Sequence, residues 1–531
     1  MAADTPSFPD RRRVLAMAAA IGGGLWLPDS ARAQPRLISD PFALGVASGS
    51  PRHDSVVLWT RLVQAQAADT AAWGSSPVAV RWEVAHDEGF QRMVQTGSVH
   101  AAPELAHAVH VEVQGLEPDR WYFYRFQIGT AQSATGRTRT FPAPGAAAQK
   151  LRLAYASCQH WEHGFYSAYR HMRAENLDAV MFLGDYIYEY GGTSKSVRRV
   201  PTNATVSLDD YRARYALYKS DIDLQAMHAA CPWIMTWDDH EVQNDYAGGV
   251  QGTFGPEVPD FAARRLAAYQ AYYEHMPLRA SVLQKALAGV MQTGSELRLY
   301  DRVAFGRLAV LHTVDDRQYR DRQACTKGGA FGSSGVNPAA CASWNDPART
   351  LLGMEQERWL EQSLAIGGGT WSVIAQQTVF GQRDFRPGDG LVLHNDGWDG
   401  YAPARSRLTQ ALQRHKVSNP VFLGGDVHSN WVGHVKADYA RPDSKAVGVE
   451  FCGTSITSRG GDNKGLAEVL AENPHFVMAD RERRGYGVAE FTPQQLSVSL
   501  RVVDDATRAD SDVSTLAAFV VEQGQPKVNS A

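Results

Sequence analysis

The sequence has few cysteines, no run of one charge sign and no long apolar segment beyond its N-terminus, and each shortage excludes something. Charge is nearly balanced over 531 residues, with 53 basic against 57 acidic side chains and a formal net charge of -4. Without a block of like charge, a nucleic-acid-binding surface is not expected, although a local basic funnel toward phosphate remains compatible with the composition. No segment after the N-terminus is apolar for long enough to span a bilayer, so no transmembrane helix is expected. No internal repeat is visible. The G-x-S-x-G elbow of a serine hydrolase is missing, which counts against that chemistry even though Gly453-Thr454-Ser455 stands near a strand end. The cysteines are Cys158, Cys231, Cys325, Cys341 and Cys452, an odd number that leaves at least one thiol free.

What is present begins with an export signal. Arg11-Arg12-Arg13-Val14-Leu15 leads into an apolar stretch over 14–27, and Ala31-Arg32-Ala33 supplies an A-x-A cleavage site. The paired arginines before an apolar pair fit the twin-arginine (Tat) machinery, so residues 1–33 read as a Tat-type signal peptide and the mature chain as periplasmic or secreted. In an oxidising compartment, Cys325 and Cys341, which flank a Gly/Ser-rich loop, are expected to pair. Cys231 and Cys452 sit in apolar surroundings that suit plain buried packing.

A chain of this length is expected to divide into two domains. Over 42–141, short runs rich in Val, Trp, Tyr and Phe (55–60, 78–84, 108–113 and 121–128) alternate with turn-formers, which predicts a small immunoglobulin- or fibronectin-like β-sandwich over 38–142. A Pro/Ala-rich linker follows at 142–148. From 150 to 510 the pattern changes to apolar strands that each end in polar residues: 151–156, 179–183, 233–236, 308–313, 372–375 and 421–423. Helical periodicity appears at 165–175, 261–276 and 355–364, so the body reads as α/β, with late strands at 447–451, 485–491 and 495–503 closing in antiparallel fashion. The C-terminal segment 511–531 is expected to carry a short helix over 513–523 that packs back on the body.

Polar residues collected at strand ends are how such folds build sites, because the loops there converge on one crevice. Four segments stand out: Ser157-Cys158-Gln159, Gly184-Asp185-Tyr186-Ile187-Tyr188-Glu189, Trp237-Asp238-Asp239-His240-Glu241 running on to Asn244-Asp245, and Gly424-Gly425-Asp426-Val427-His428. Each brings a thiol, a carboxylate or an imidazole to a strand tip. So many acids cannot share one crevice unless bound cations offset their repulsion.

In order and spacing these motifs resemble the binuclear metallophosphoesterase superfamily, whose scheme is D-x-H, G-D-x-x-D/Y, G-N-H-D/E and G-H-x-H. The variants here, Cys158 in the first motif, G-D-Y-I-Y ending at Tyr188, W-D-D-H-E and G-D-V-H, are similar to the alkaline phosphatase D branch. Asp315-Asp316-Arg317 and Asp396-Gly397-Trp398-Asp399 also match that branch, and the resemblance spans nearly the whole chain.

The resemblance implies a four-layer metallophosphoesterase sandwich flanked by helices. It also implies Asp185 as a bridging ligand, with Cys158, Tyr188 and His428 holding Fe(III). Asp239 and Asp426 would hold Ca2+ in a binuclear or trinuclear cluster, with Asn244 or Asp245 completing the shell and Asp238 open as a replacement for Asp239. His240 is implied as the proton-handling or phosphate-facing histidine. Arg317 is a candidate phosphate clamp or, next to Asp315 and Asp316, a structural ion pair. The implied activity is hydrolysis of small or polymeric phosphate esters by metal-activated hydroxide, as an alkaline phosphatase or phosphodiesterase with phospholipase D-like activity within range. The competing reading is an exported binding protein on an inactive fold. Nothing in the sequence specifies an oligomeric state.

Overall fold

The computed structural model describes residues 37, 39–63, 73–201, 204–283, 296–441 and 443–531, so the expected export signal lies outside the described residues. Its centre is a pair of sheets packed face to face. The larger has ten strands in the spatial order Asn529–Ser530, Val513–Glu522, Gln495–Val503, Arg484–Phe491, Leu151–Ala156, Ala179–Leu183, Trp233–Thr236, Val46–Gly49, Ser55–Arg61 and Ala108–Gln114. The other has seven, ordered Asp301–Phe305, Ala309–Thr313, Trp371–Ala375, Pro420–Gly424, Ala446–Cys452, Asn430–Lys436 and Phe476–Asp480.

The middle of each sheet is parallel. Leu151–Ala156, Ala179–Leu183 and Trp233–Thr236 run together in one, and Ala309–Thr313, Trp371–Ala375, Pro420–Gly424 and Ala446–Cys452 in the other. Strands buried on both faces carry continuous apolar runs, which is why these segments show no two-residue alternation in the sequence. Their side chains make the inter-sheet core: Leu153, Met181 and Leu183 meet Leu311, Val373, Val421 and Phe451. The outer face of the large sheet is covered by helices Ser167–Met172, Leu208–Lys219, Ile222–Ala230 and Phe261–His275. The outer face of the other is covered by Gly353–Ile366 and Ala402–Arg414.

Two expectations change. The tail over 513–523 is a strand, Val513–Glu522, that pairs antiparallel with Gln495–Val503. Its run Leu516-Ala517-Ala518-Phe519-Val520-Val521 suits a helix and a strand equally by hydrophobicity, and the free edge of Gln495–Val503 decides for the strand by supplying hydrogen-bond partners. The N-terminal strands do form a two-sheet core, with Val56, Leu58 and Val111 facing Val80, Val84, Tyr122, Tyr124 and Phe126. One of those sheets is not separate, however: Val46–Gly49 pairs in parallel with Trp233–Thr236 at Gly49 and Trp233, so the catalytic sheet continues into the N-terminal region across the expected boundary. The second sheet there, Met93–Ala101, Val78–Ala85 and Trp121–Ile128 with Ala131–Gln132 and Gly136–Arg139, stands apart.

Candidate metal centre

The parallel strands of both sheets point their C-terminal ends the same way, and the four singled-out segments are the loops that leave those ends. The loops are tied to one another by backbone. Cys158 N–H donates to the Gly184 carbonyl at 3.1 Å, Gln159 N–H to the Asp185 carbonyl at 3.1 Å, and Gly425 N–H to the Gln377 carbonyl at 2.7 Å. Gly184 has φ 111°, and a Cβ there would lie 2.4 Å from Asp238 Cβ, so only glycine lets these two loops touch. Four expected ligands adopt left-handed backbone: Cys158 (φ 60°), Asp185 (56°), Asp426 (65°) and His428 (52°). Non-glycine residues rarely sit there, and when they cluster the surrounding structure is holding side chains in fixed directions at a local cost.

Around Asp185 the side chains converge. Cys158, Asp185 and His428 bring ligand-type atoms within 4.8 Å of one another, and so do Asp185, Asp239 and His240. The Tyr188 hydroxyl donates to Asp185 Oδ2 at 2.9 Å, lies 3.1 Å from His428 Nε2, and accepts from Ser458 Oγ at 2.6 Å. His428 Nδ1 donates to the Arg459 carbonyl at 2.9 Å, which fixes the tautomer and leaves the Nε2 lone pair facing Tyr188. Burial, with Arg484 next, lowers the His428 pKa to about 3, so the ring is neutral and fit to donate that lone pair. Asp426 is partly open, its side chain 22% exposed, and lines a cavity together with Asp245 and Asp396.

The electrostatics around Asp185 mostly oppose ionisation. Burial and the neighbouring carboxylates push the Asp185 acid well above its usual range despite the opposing pull of His240. Burial and Asp185 likewise raise the Cys158 thiol and the Tyr188 phenol. The thiol, the phenol and the Asp185 carboxyl resist ionisation, which a bound cation would reverse, whereas Arg317 and His240 outweigh burial and lower the Asp239 carboxyl. Asp239 Oδ1 is buried with no hydrogen-bond partner. Such an orphaned oxygen beside Asp185 fits a metal ligand. The donor set therefore fits cations, with mixed sulfur, phenol and imidazole on one side of Asp185 and oxygen on the other.

The remaining expected residues fall as follows. His240 Nδ1 donates to Glu189 Oε2 at 2.7 Å; burial opposes its charge, but Glu189, Asp239 and Asp185 outweigh it and hold the ring protonated well above the ordinary histidine range. Asn244 turns its side-chain amide to Thr253 Oγ1 at 2.7 Å, whereas the Asp245 carboxylate accepts from Ser333 Oγ at 2.6 Å. Arg317, expected as a phosphate clamp or an ion pair, is fully buried. It pairs with Asp238, lies 2.8 Å from Asp396 and 3.6 Å from Asp239. That placement makes it a fixed counter-charge within the acidic cluster, with Asp426 3.9 Å away. Asp238 gives one oxygen to Arg317 and its Oδ2 has no hydrogen-bond partner, while Asp239 is the acid grouped with Asp185 and His240.

Two residues that matter to this geometry were not singled out from the sequence. Glu189 orients His240 and also accepts from Asn244 N–H at 2.8 Å. Glu241 accepts from the N–H groups of Tyr186 at 2.6 Å, Asp238 at 2.9 Å and Asp185 at 3.1 Å, tying two ligand loops together. Both lie inside quoted motifs, and a buried acid flanked by ligands was the available signal.

A crevice of this kind, at the parallel strand ends of two packed sheets and rich in acids, is that of an α/β protein with a metal-type site. Residues 153–500 match the family described as PhoD-like phosphatase, and residues 29–142 match the PhoD-like phosphatase N-terminal domain. The chain belongs to the PhoD-like phosphatase family, as the motifs implied. A curated relative, Alkaline phosphatase D of Bacillus subtilis (strain 168), is 43% identical over 97% of this chain and 88% of its own length. A solved structure titled "Structure of PhoD" superposes with a TM-score of 0.87 at 42% identity, covering 94% of this chain and 93% of the other.

Proposed function

We propose that this phosphate-ester hydrolase works as an exported, metal-dependent phosphoesterase whose centre is bridged by Asp185. Cys158, Tyr188 and His428 would hold one cation, and Asp239 and Asp426, with Asn244 or Asp245, would hold the other or others. Thiolate and phenolate donors suit Fe(III), and the all-oxygen side suits Ca2+. When bound, such cations supply Lewis-acid activation of water and offset charge on the phosphate oxygens.

The protein's own groups do the rest. His240, oriented and kept protonated by Glu189, donates a proton to the departing oxygen. Arg317 holds the acids in register from behind. Glu241 fixes the backbone of both ligand loops. Around this centre we read the helix-covered pair of sheets as the four-layer scheme of the superfamily.

The observation that carries the reading is the meeting of Cys158, Asp185, Asp239, His240 and His428, residues far apart in the chain, around one carboxylate. Family membership and this cluster weigh against a binding protein on an inactive fold. Export is supported by the sequence signal and by the Cys325–Cys341 disulfide, which suits an oxidising compartment. No helix among the described residues is long and apolar enough to cross a membrane.

The test is direct. Purified protein should hydrolyse chromogenic phosphate mono- and diesters, lose the activity on chelation, and contain iron and calcium by elemental analysis. Hydrolysis that survives exhaustive chelation would remove the metal-dependent reading.

A further inference from the structure

A cavity of about 220 Å³ reaches the proposed centre at Asp426 and Asp245. At its inner end stand Asp426, Asp396 and Asp245, and its outer part is lined by Arg383, Phe385 and His394. The outer part changes sign relative to the inner. The Arg383 guanidinium lies 5.3 Å from the Phe385 ring centroid and 5.4 Å from that of Trp431, and Arg481 approaches the same Trp431 ring at 5.9 Å. Two arginines thus share one indole. Burial and then Arg383 lower the Arg481 pKa, the mark of two like charges held near each other.

The acids near Arg383 serve other groups as well, and of them Glu450 interacts with the Arg383 charge at a distance without an ion pair. Asp399 pairs with Arg405 at 2.5 Å and accepts the Arg383 backbone N–H at 3.0 Å. Glu450 is buried, accepting the N–H groups of Phe380 and, at 2.8 Å, Gly381. Asp396 is held by Arg317 and Arg320. Among the described residues no carboxylate forms an ion pair with the guanidinium of either Arg383 or Arg481, whereas buried Arg317, Arg320 and Arg405 nearby all have one. A half-buried guanidinium braced by aromatic faces and held in no ion pair among the described residues, at the wall of a cavity that reaches the proposed centre, is placed to read an anion. Phe385, with 37% of its surface exposed, adds an apolar edge beside it.

We infer that this cavity is a subsite for a second anionic group carried by the substrate, with Arg383 as its reader and Arg481 reinforcing the positive potential. The inference rests on the phosphoesterase reading above and narrows it. The preferred substrate is a phosphodiester that bears, on the substituent entering this cavity, a further phosphate or carboxylate a few bonds from the scissile phosphorus. A simple alkyl ester leaves the guanidinium unmet.

Two chromogenic diesters test it, methyl 4-nitrophenyl phosphate and 3-phosphopropyl 4-nitrophenyl phosphate, with 3-carboxypropyl 4-nitrophenyl phosphate to tell phosphate from carboxylate. The wild type is expected to favour either anionic ester over the methyl ester in kcat/KM. Arg383→Ala is expected to reduce that ratio about tenfold, or about 1.4 kcal/mol, and added salt should reduce it in the wild type. Because the ratio is taken within one preparation, partial misfolding of the variant scales both rates and cancels. A wild type that hydrolyses the methyl ester without favouring either anionic ester overturns the subsite, as does an Arg383→Ala protein with an unchanged ratio. A wild type that hydrolyses none of the three also overturns the subsite, and one that in addition leaves 4-nitrophenyl phosphate intact overturns the phosphoesterase reading itself.

Discussion

Replacing Glu241 should separate the architecture of the site from its chemistry. The carboxylate is buried and accepts three backbone N–H groups, from Asp185, Tyr186 and Asp238. Alanine leaves all three donors without a partner in a place water cannot reach. Each unmet buried donor costs about 1–3 kcal/mol, so Glu241→Ala should lose about 3–9 kcal/mol. Domains are stable by only about 5–15 kcal/mol, so the alanine protein should be close to unfolded. Glutamine keeps one oxygen, best placed at the Oε2 position that serves two of the donors, and opposes only the Tyr186 N–H, for a loss of about 1–3 kcal/mol. Burial pushes the Glu241 carboxyl up to about 7, against the pull of the three N–H groups, so the comparison belongs at pH 8, where the wild-type group is ionised. Urea unfolding followed by tryptophan fluorescence reads the order wild type, glutamine, alanine. An alanine variant within about 1 kcal/mol of the wild type, or no difference between the two variants, would show that these hydrogen bonds do not hold the loops.

Other perturbations have equally definite outcomes. Asp185→Asn should leave the circular dichroism spectrum unchanged and lower phosphate-ester turnover at least about a thousandfold, since it removes the proposed bridging charge; a rate near that of the wild type would end the bridging role. Arg317→Met should lower the unfolding midpoint, a loss of about 3–5 kcal/mol from a buried charge cluster; a raised KM with an unchanged midpoint would restore the phosphate-clamp role. Reducing the Cys325–Cys341 disulfide, or Cys325→Ser, should cost about 3 kcal/mol for a closed loop of this length, read as a lower melting temperature; equal melting of oxidised and reduced protein would refute it. Buried Lys219, whose ammonium lies 4.2 Å from the Trp59 ring centroid, has its pKa lowered from 10.5 to about 7 by burial. Above pH 10.5 the amine is neutral in both states; as pH falls toward 7 the unfolded chain binds the proton first and stability is lost. Lys219→Met should therefore gain up to about 4 kcal/mol near pH 7 and progressively less toward pH 10, and a gain independent of pH would contradict the burial cost.

Sequence and structure divided the information unevenly, for physical reasons. The strands at Ala179–Leu183 and Trp233–Thr236 and the helix Phe261–His275 were legible because their periodicity is local. So were the ligand-bearing loops, because a polar motif directly after an apolar run has few structural uses. The Val513–Glu522 strand was not legible, since its conformation depends on the exposed edge of a distant neighbour. The continuation of the catalytic sheet into Val46–Gly49 was hidden for the same reason, resting on one parallel contact at Trp233. Residue types alone determined the family and the proposed cast of ligands. Tertiary structure decided which acid is spent on which cation: that Arg317 takes Asp238 and Asp396, that Glu189 takes His240, and that Arg383 is held in no ion pair among the described residues. Pairing of charges depends on distance through space and on exclusion of water, and neither quantity is written in the order of residues along the chain.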